Sequence, residues 1–205
     1  EQKINIRNLN KNRASFGDPA VLNYSANLRG SFKQYGSDAL MSSDMPAPGE
    51  YRTAAPELTP EERAWLRLTR WAEGGKSYNT MFGGGTFEGL EHPDTVVKTS
   101  GYASAAAGAY QFMPDTWRRV TKKYNLPSQM TPENQDRASI GLMLDRGMNP
   151  KQGWSDEAVF KLAPEWASFP TRTGRSYYDQ PVKKLESMKA IYEQFLQEER
   201  QQGTI

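Results

Sequence analysis

The chain has 205 residues, of which 37% are hydrophobic and 24% are charged, and its formal net charge is +2. This length accommodates one ordinary domain with an appendage, and the low hydrophobic fraction indicates that part of the chain lies outside any core. The lack of cysteine excludes disulfides and thiolate chemistry, and a single histidine excludes a metal site built from several histidines of one chain. The mild charge is far from the basic surface that is typical of nucleic-acid-binding proteins.

Residues 1–58 show no sustained hydrophobic period and end in the proline-containing stretch MPAPGEYRTAAPELTP. This composition predicts an extended polar arm, followed by a domain that spans residues 59–205. Two alternatives remain open for the arm, namely a floppy tail or a segment that is ordered on a partner or on the domain. The chain lacks an apolar run of about 20 residues and a signal-peptide pattern, so we expect no membrane insertion.

The first regular element begins at Thr59, where TPEE supplies a threonine N-cap, a proline in the first turn and a glutamate at the third position. The helix that follows places Trp65 and Ala72 on one face, and Gly74 and Gly75 end it. Residues 77–102 are rich in Thr, Val, Tyr, Phe and Gly, which predicts short strands joined by turns.

Four further helices follow, each with a proline or hydroxyl residue near its start or an apolar stripe along one face. They are predicted over residues 114–125, 131–147, 155–163 and 182–203. The glycines of FGGG are read as a tight turn between strands, because the Gly-Lys-Ser/Thr that would complete a phosphate loop is missing. The whole pattern predicts a mostly helical α+β fold with one small sheet inserted after the first helix.

A carboxylate, Glu73, occupies the last position before the glycines that end the first helix, in the stretch RWAEGG. The end of a helix carries partial negative charge, and the flanking Trp71 and Ala72 limit hydration, so both effects favour the protonated carboxyl. A raised pKa suits a general acid that works near neutral pH. The alternative is an ordinary solvated glutamate at a helix end.

Two other stretches carry groups that suit a sugar ligand. In SGYASAAAGAYQF, small side chains allow a close backbone approach or a narrow groove, and Tyr110 and Gln111 can stack and hydrogen-bond on a polar ligand. The loop GRSYY offers aromatic rings, including that of Tyr177, which suit the apolar faces of sugars. The alternatives are a tightly packed helix contact for the first stretch and ordinary surface for the second.

Taken in order, the segments RWAEGG, FGGGTF with EHPDTVV, SAAAGAYQFMPDTW, IGLMLDRG and EWASFP resemble the lambda-type phage lysozymes over about residues 60–200. Despite their name, the members of that family are lytic transglycosylases, which cut the bond between N-acetylmuramic acid and N-acetylglucosamine in peptidoglycan. The resemblance implies a lysozyme-like fold in which a glycan cleft lies between the helices and a small β-hairpin lobe.

The resemblance also carries the family's catalytic glutamate onto Glu73. This residue would protonate the departing glycosidic oxygen and then act as a base on the muramic acid C6 hydroxyl, which closes a 1,6-anhydro ring. That chemistry needs neither a metal nor an organic cofactor. We expect substrate contacts from a set of polar, aromatic and small residues around the cleft: Tyr78, Ser104, Gly108, Tyr110, Gln111 and Tyr177.

The expected partners are peptidoglycan glycan strands and, through the arm, phage virion or tail proteins, with no nucleic acid among them. The expected place of action is the bacterial cell wall, on its periplasmic side, either as an endolysin or as a virion-associated enzyme. Two alternatives stay open. One is a hydrolytic muramidase with Glu88, Glu91 or Asp94 as its second carboxylate. The other is a non-catalytic peptidoglycan-binding or structural virion component.

Overall fold

The computed structural model describes residues 45–99, 102–178 and 181–202, and it forms the mostly helical α+β fold that the sequence predicts. The elements in chain order are α1 (Pro60–Glu73), β1 (Val97–Thr99), β2 (Tyr102–Ser104), α2 (Pro114–Lys123), α3 (Pro132–Asp145), α4 (Asp156–Leu162) and α5 (Leu185–Gln202), with 3-10 turns at Phe82–Gly84 and Pro150–Gln152. Within these described ranges, no helix combines the length and the apolar composition needed to cross a membrane.

Helix α1 begins and ends where local sequence signals predict. The Thr59 side chain accepts a hydrogen bond from the Glu62 backbone N–H at 3.3 Å, and the Glu62 carboxylate accepts one from the Thr59 N–H at 2.8 Å. This reciprocal pair satisfies two donors that the first turn would otherwise leave without acceptors. At the other end, Gly74 takes a left-handed φ of 74°, a conformation that costs glycine nothing. The predicted helix is therefore confirmed.

The small sheet predicted after α1 is also present. Strands β1 and β2 pair antiparallel, with Val97 opposite Ser104. The FGGG stretch forms a turn within a loop that is closed by a bridge between Thr80 and Thr86, as expected for a tight turn. A further bridge joins Met81 to Ala107 and brings this lobe onto the small-residue stretch that precedes α2.

The core is built on α1, whose apolar face packs against α5. Arg67 of α1 is fully buried in this contact, where its guanidinium donates to Glu199 at 2.7 Å and to Glu198 at 2.6 Å. The same guanidinium lies 4.2 Å from the ring centroid of Phe195. Because both carboxylates come from α5, this cluster joins the two helices in a way that leaves the buried charge compensated.

Residues 45–58, which the sequence analysis assigned to the arm, pack against the domain. Ala55 is fully buried, and Met45, Tyr51 and Leu58 contact the core. The backbone N–H groups of residues 54 and 55 donate to Oδ2 of Asp136 on α3, at 2.6 and 3.0 Å. Residues 1–44 lie outside the described residues, so an extended arm there stays a prediction.

Candidate active site

The candidate acid, Glu73, is the last residue of α1 and is only 1% exposed. Its Oε1 accepts hydrogen bonds from Ser168, from the backbone N–H at 3.3 Å and from the side-chain hydroxyl. Ser168 is fully buried and lies in the turn between α4 and the bridge at Pro170. The carboxyl is thus held inside the protein by a residue that is 95 positions away in the chain.

The environment of Glu73 raises its pKa from 4.5 to about 7, and burial is the main cause because it disfavours the charged form. The two hydrogen bonds from Ser168 and the positive charge of Lys183 act in the opposite direction, with a smaller effect. A substantial fraction of Glu73 is therefore protonated at neutral pH, which is the state that a general acid requires.

The small-residue stretch approaches the end of α1 through backbone contact. A Cβ atom placed on Gly75 would lie 1.8 Å from the Ala109 carbonyl oxygen, so the two backbones touch and only glycine fits. The contact brings the Tyr110–Gln111 pair next to the turn that follows Glu73. The sequence had separated these features by more than thirty residues.

We expect Gly75→Ala to lower both stability and activity, because the added methyl must push residues 108–111 away from the end of α1. The matched control is Gly85→Ala, since a Cβ at Gly85 meets nothing within 4 Å and its φ of −71° suits any residue. Thermal unfolding should show a loss of roughly 1–3 kcal/mol for the first variant, the usual range for overpacking, and little change for the second. Equal stabilities would contradict the close contact.

Tyr78 and Tyr110 meet on one carboxylate. Both hydroxyls donate to Oδ1 of Asp136 at 2.7 Å, while Oδ2 accepts the two backbone donors of the 45–58 segment. Tyr110 is 2% exposed, and its hydroxyl is buried on this carboxylate. The structure therefore ties both tyrosine hydroxyls to α3, and the direct contact of these residues with substrate stays a prediction.

The other small and polar candidates are also largely buried. Gly108 has a φ of 84°, and a Cβ there would lie 2.3 Å from Oε1 of Gln135. The Gln111 side-chain amide donates to the Gly108 carbonyl at 2.8 Å, which leaves its Oε1 buried without a partner among the described residues. The Ser104 hydroxyl accepts from the Ala106 N–H at 3.1 Å. These hydrogen bonds join residues of the small-residue stretch to one another and fix its backbone.

Tyr177 is the candidate whose ring is most open to solvent, with 41% of its surface exposed. Its ring packs edge-on against Tyr178, 4.9 Å between centroids, and the Tyr178 hydroxyl donates to the Pro164 carbonyl at 2.6 Å. The exposed ring therefore packs against a half-buried, hydrogen-bonded neighbour, on the loop that leads away from Ser168. Its stacking on a sugar stays a prediction.

The three candidates for a second carboxylate lie exposed on the β lobe. Asp94 is paired with Arg118 at 2.9 Å, and Glu88 and Glu91 face solvent. In the described part of the chain, none of the three shares a hydrogen bond with Glu73. The described residues also contain no group of three or more His, Asp or Glu side chains that could hold a metal ion.

Sequence reasoning missed three residues that surround the candidates, namely Ser168, Lys183 and Asp136. Asp136 carried a signal, because it lies one turn before Ser139 on the buried face of a predicted helix, where an acid needs partners. Ser168 lay within the EWASFP segment, but serine next to buried aromatic residues is too common to indicate a role. Lys183 had no signal, because the sequence analysis placed it in the first turn of the last helix, whereas α5 begins at Leu185.

Known proteins share the family and the fold of this chain. The Endolysin family matches residues 63–198. Among solved structures, bacteriophage lambda lysozyme complexed with a chitohexasaccharide is similar at a TM-score of 0.59 and 26% identity, over 68% of this chain and 96% of that one. A second structure, lysozyme from bacteriophage lambda, has a TM-score of 0.57 and 21% identity, over 69% and 96%. These matches confirm the predicted lysozyme-like fold. No curated protein matches the chain.

Proposed function

The chain belongs to the endolysin family of phage lysozymes, enzymes that degrade peptidoglycan, and from this premise we propose that it is a lytic transglycosylase. Its substrate is the β-1,4 bond between N-acetylmuramic acid and N-acetylglucosamine, and its products end in 1,6-anhydromuramic acid. The observation that supports this proposal most directly is the buried Glu73 carboxyl, whose pKa of about 7 suits proton transfer in both directions.

In the first step, the protonated Glu73 gives its proton to the glycosidic oxygen while the bond from that oxygen to C1 of muramic acid breaks. Positive charge develops on the sugar ring as the N-acetylglucosamine leaves with a new hydroxyl group. The acid becomes a carboxylate, and the two hydrogen bonds from Ser168 stabilise its new charge.

In the second step, the Glu73 carboxylate takes the proton from the C6 hydroxyl of the same muramic acid, and that oxygen bonds to C1. The 1,6-anhydro ring closes, no water is consumed, and the acid returns to its starting state. One carboxyl group is sufficient for this sequence, whereas most glycosidases need two.

Substrate contacts are proposed for residues around this acid. The related lambda lysozyme was solved with a chitohexasaccharide, a glycan chain that resembles the sugar backbone of peptidoglycan. We propose that the exposed ring of Tyr177 stacks on a sugar and that Gln111, whose side chain is buried, supports the wall of the cleft through its bond to the Gly108 carbonyl. Tyr78, Ser104, Gly108 and Tyr110 would then shape the wall of the cleft.

Product analysis tests the reaction class. Purified peptidoglycan digested with the full chain should release muropeptides with anhydromuramic ends, which mass spectrometry distinguishes from reducing ends by the missing water. Reducing ends alone would identify a hydrolytic muramidase on the same fold. Glu88→Gln, Glu91→Gln and Asp94→Asn would then show which carboxylate activates the water.

A second candidate function rests on the first 44 residues, which precede the packed segment. We propose that they tether the enzyme to phage virion or tail proteins, so that it opens the wall at the periplasmic side during genome entry. Detection of the chain in purified particles supports this role, and its restriction to the lysate supports a free endolysin. A purely structural virion component would bind peptidoglycan without releasing muropeptides.

A further inference from the structure

We propose that Ser168 is a positioning residue for Glu73, whose two donors hold Oε1 and leave Oε2 as the oxygen that carries the catalytic proton. This inference rests on the proposed role of Glu73 as acid and base. Ser168 does not itself touch the reacting atoms in this scheme. It acts by selecting one orientation of the carboxyl and one site of protonation.

The assignment of the proton follows from the nature of the two donors. A backbone N–H can only donate, so the oxygen 3.3 Å from the Ser168 nitrogen must offer a lone pair. The Ser168 hydroxyl bonds to the same oxygen. Protonation of Oε1 would force the Ser168 hydroxyl to change from donor to acceptor, and it would weaken the bond from the N–H, because the O–H oxygen of a carboxylic acid is a poorer acceptor than its carbonyl oxygen. The proton therefore resides on Oε2.

The position of Ser168 is itself braced from two sides. Its carbonyl accepts a hydrogen bond from the Lys183 backbone N–H at 2.8 Å, and the next residue, Phe169, is fully buried. The Lys183 ammonium lies 4.4 Å from the ring centroid of Trp71, two residues before Glu73. The turn that carries Ser168 is thus joined to the last turn of α1 by both backbone and side-chain contacts.

The charged side chains near the Glu73 carboxyl act on its pKa less directly than Ser168 does. From the segment before α5, the Lys183 ammonium acts on Glu73. From α1, Arg70 lies one turn earlier, but its guanidinium donates to backbone carbonyls. Its acceptors are Gly75, Lys76 and Arg52. The hydrogen bonds to the carboxyl itself come from Ser168, so this residue opposes the effect of burial most directly.

The two steps of the reaction make opposite demands on Glu73. Burial alone would favour the acid and weaken the base, because it disfavours the carboxylate. Donors on Oε1 stabilise the carboxylate. They therefore favour the release of the proton in the first step, and they keep the group ionised until the C6 hydroxyl attacks C1. The hydrogen bonds from Ser168 therefore balance the acid step against the base step.

The test compares Ser168→Ala with Ser139→Ala, the same change at a fully buried serine of α3 whose hydroxyl has no partner among the described residues. The titration of Glu73 is followed by carbon NMR of its carboxyl, assigned by the signal that Glu73→Gln removes. We expect Ser168→Ala to move the titration midpoint upward by about one pH unit, and the alkaline limb of the rate profile with it. Ser139→Ala should move neither.

Ser168→Cys keeps the shape of the site if alanine prevents folding, and its weaker thiol donor should give a smaller upward movement. An unchanged Glu73 midpoint in a folded Ser168 variant would overturn the inference, whether or not the protein cleaves peptidoglycan. If Ser168→Ala shifts the Glu73 midpoint but the unmodified chain releases no muropeptides, the positioning role is supported and only the proposed function is contradicted.

Discussion

Replacing Glu73 with glutamine is expected to lower the rate of peptidoglycan cleavage by roughly 10²–10⁴-fold, the usual contribution of a positioned acid–base group. Glutamine has nearly the same shape, but its amide is not an acid, so the departing sugar oxygen leaves without a proton and the bond breaks more slowly. The rate is measured as muropeptide release from purified peptidoglycan. The matched control is Glu91→Gln, the same change at an exposed carboxylate of the β lobe, which should keep full activity.

The same variant has a stability signature. The pKa of Glu73 is 4.5 before folding and about 7 after it, so the folded protein binds more protons across this window and its stability falls as pH rises from about 4.5 through 7. Glutamine does not ionise, so the Glu73→Gln variant does not lose stability in this pH range. The variant should match the wild type near pH 4 and exceed it by roughly 3 kcal/mol at pH 8, in urea unfolding at both pH values.

Three outcomes would contradict this account. Normal muropeptide release by Glu73→Gln would remove the residue from the mechanism. A variant that loses activity and is also less stable than the wild type at pH 8 would indicate that the carboxylate is needed for structure. Loss of activity in Glu91→Gln as well would favour a hydrolase with a second carboxylate.

Deletion of residues 1–58 is expected to destabilise the domain by about 4 kcal/mol or more, whereas deletion of residues 1–44 should leave stability and catalysis unchanged. The longer deletion removes the two N–H donors on Asp136. It also removes the Glu50 and Arg52 carbonyls, which accept hydrogen bonds from buried guanidinium groups of α1. Each buried polar group that loses its partner costs roughly 1–3 kcal/mol.

The two deletions, compared by urea unfolding, also distinguish the structural role of residues 45–58 from the tethering role of residues 1–44. Equal stabilities would show that the contacts of residues 45–58 contribute nothing. A loss of muropeptide release in the shorter deletion, with unchanged stability, would contradict the proposal that residues 1–44 only tether the enzyme.

Asp136→Ala in the full chain should be destabilised like the longer deletion, because it leaves two tyrosine hydroxyls and two backbone donors without their acceptor.

The helices of this protein were predictable because their starts depend on neighbouring residues. Thr59, Thr131 and Ser155 each accept a hydrogen bond from a backbone N–H three positions later, and the sequence alone names these N-caps. The same local reasoning placed Glu73 at a helix end and indicated a raised pKa. The glycine turns and the small sheet followed from composition and spacing over short distances.

The role of residues 45–58 was decided by tertiary structure. Their proline-rich composition has no period that would indicate burial, and it is equally compatible with a free arm. They pack because Asp136, 81 positions after Ala55, offers a buried carboxylate, and because α1 offers buried guanidinium donors. Hydrogen bonds between residues so far apart in the sequence cannot be inferred from the pattern of neighbouring residues.

The sequence by itself thus determined the helices, the small sheet and the carboxyl group at the end of α1. Only the tertiary structure decided that this group is buried, that Ser168 holds it, and that Tyr78 and Tyr110 share the Asp136 carboxylate. Helix caps and turns depend on residues a few positions apart. Burial depends on which distant segments cover a side chain, and this is settled only when the whole chain packs.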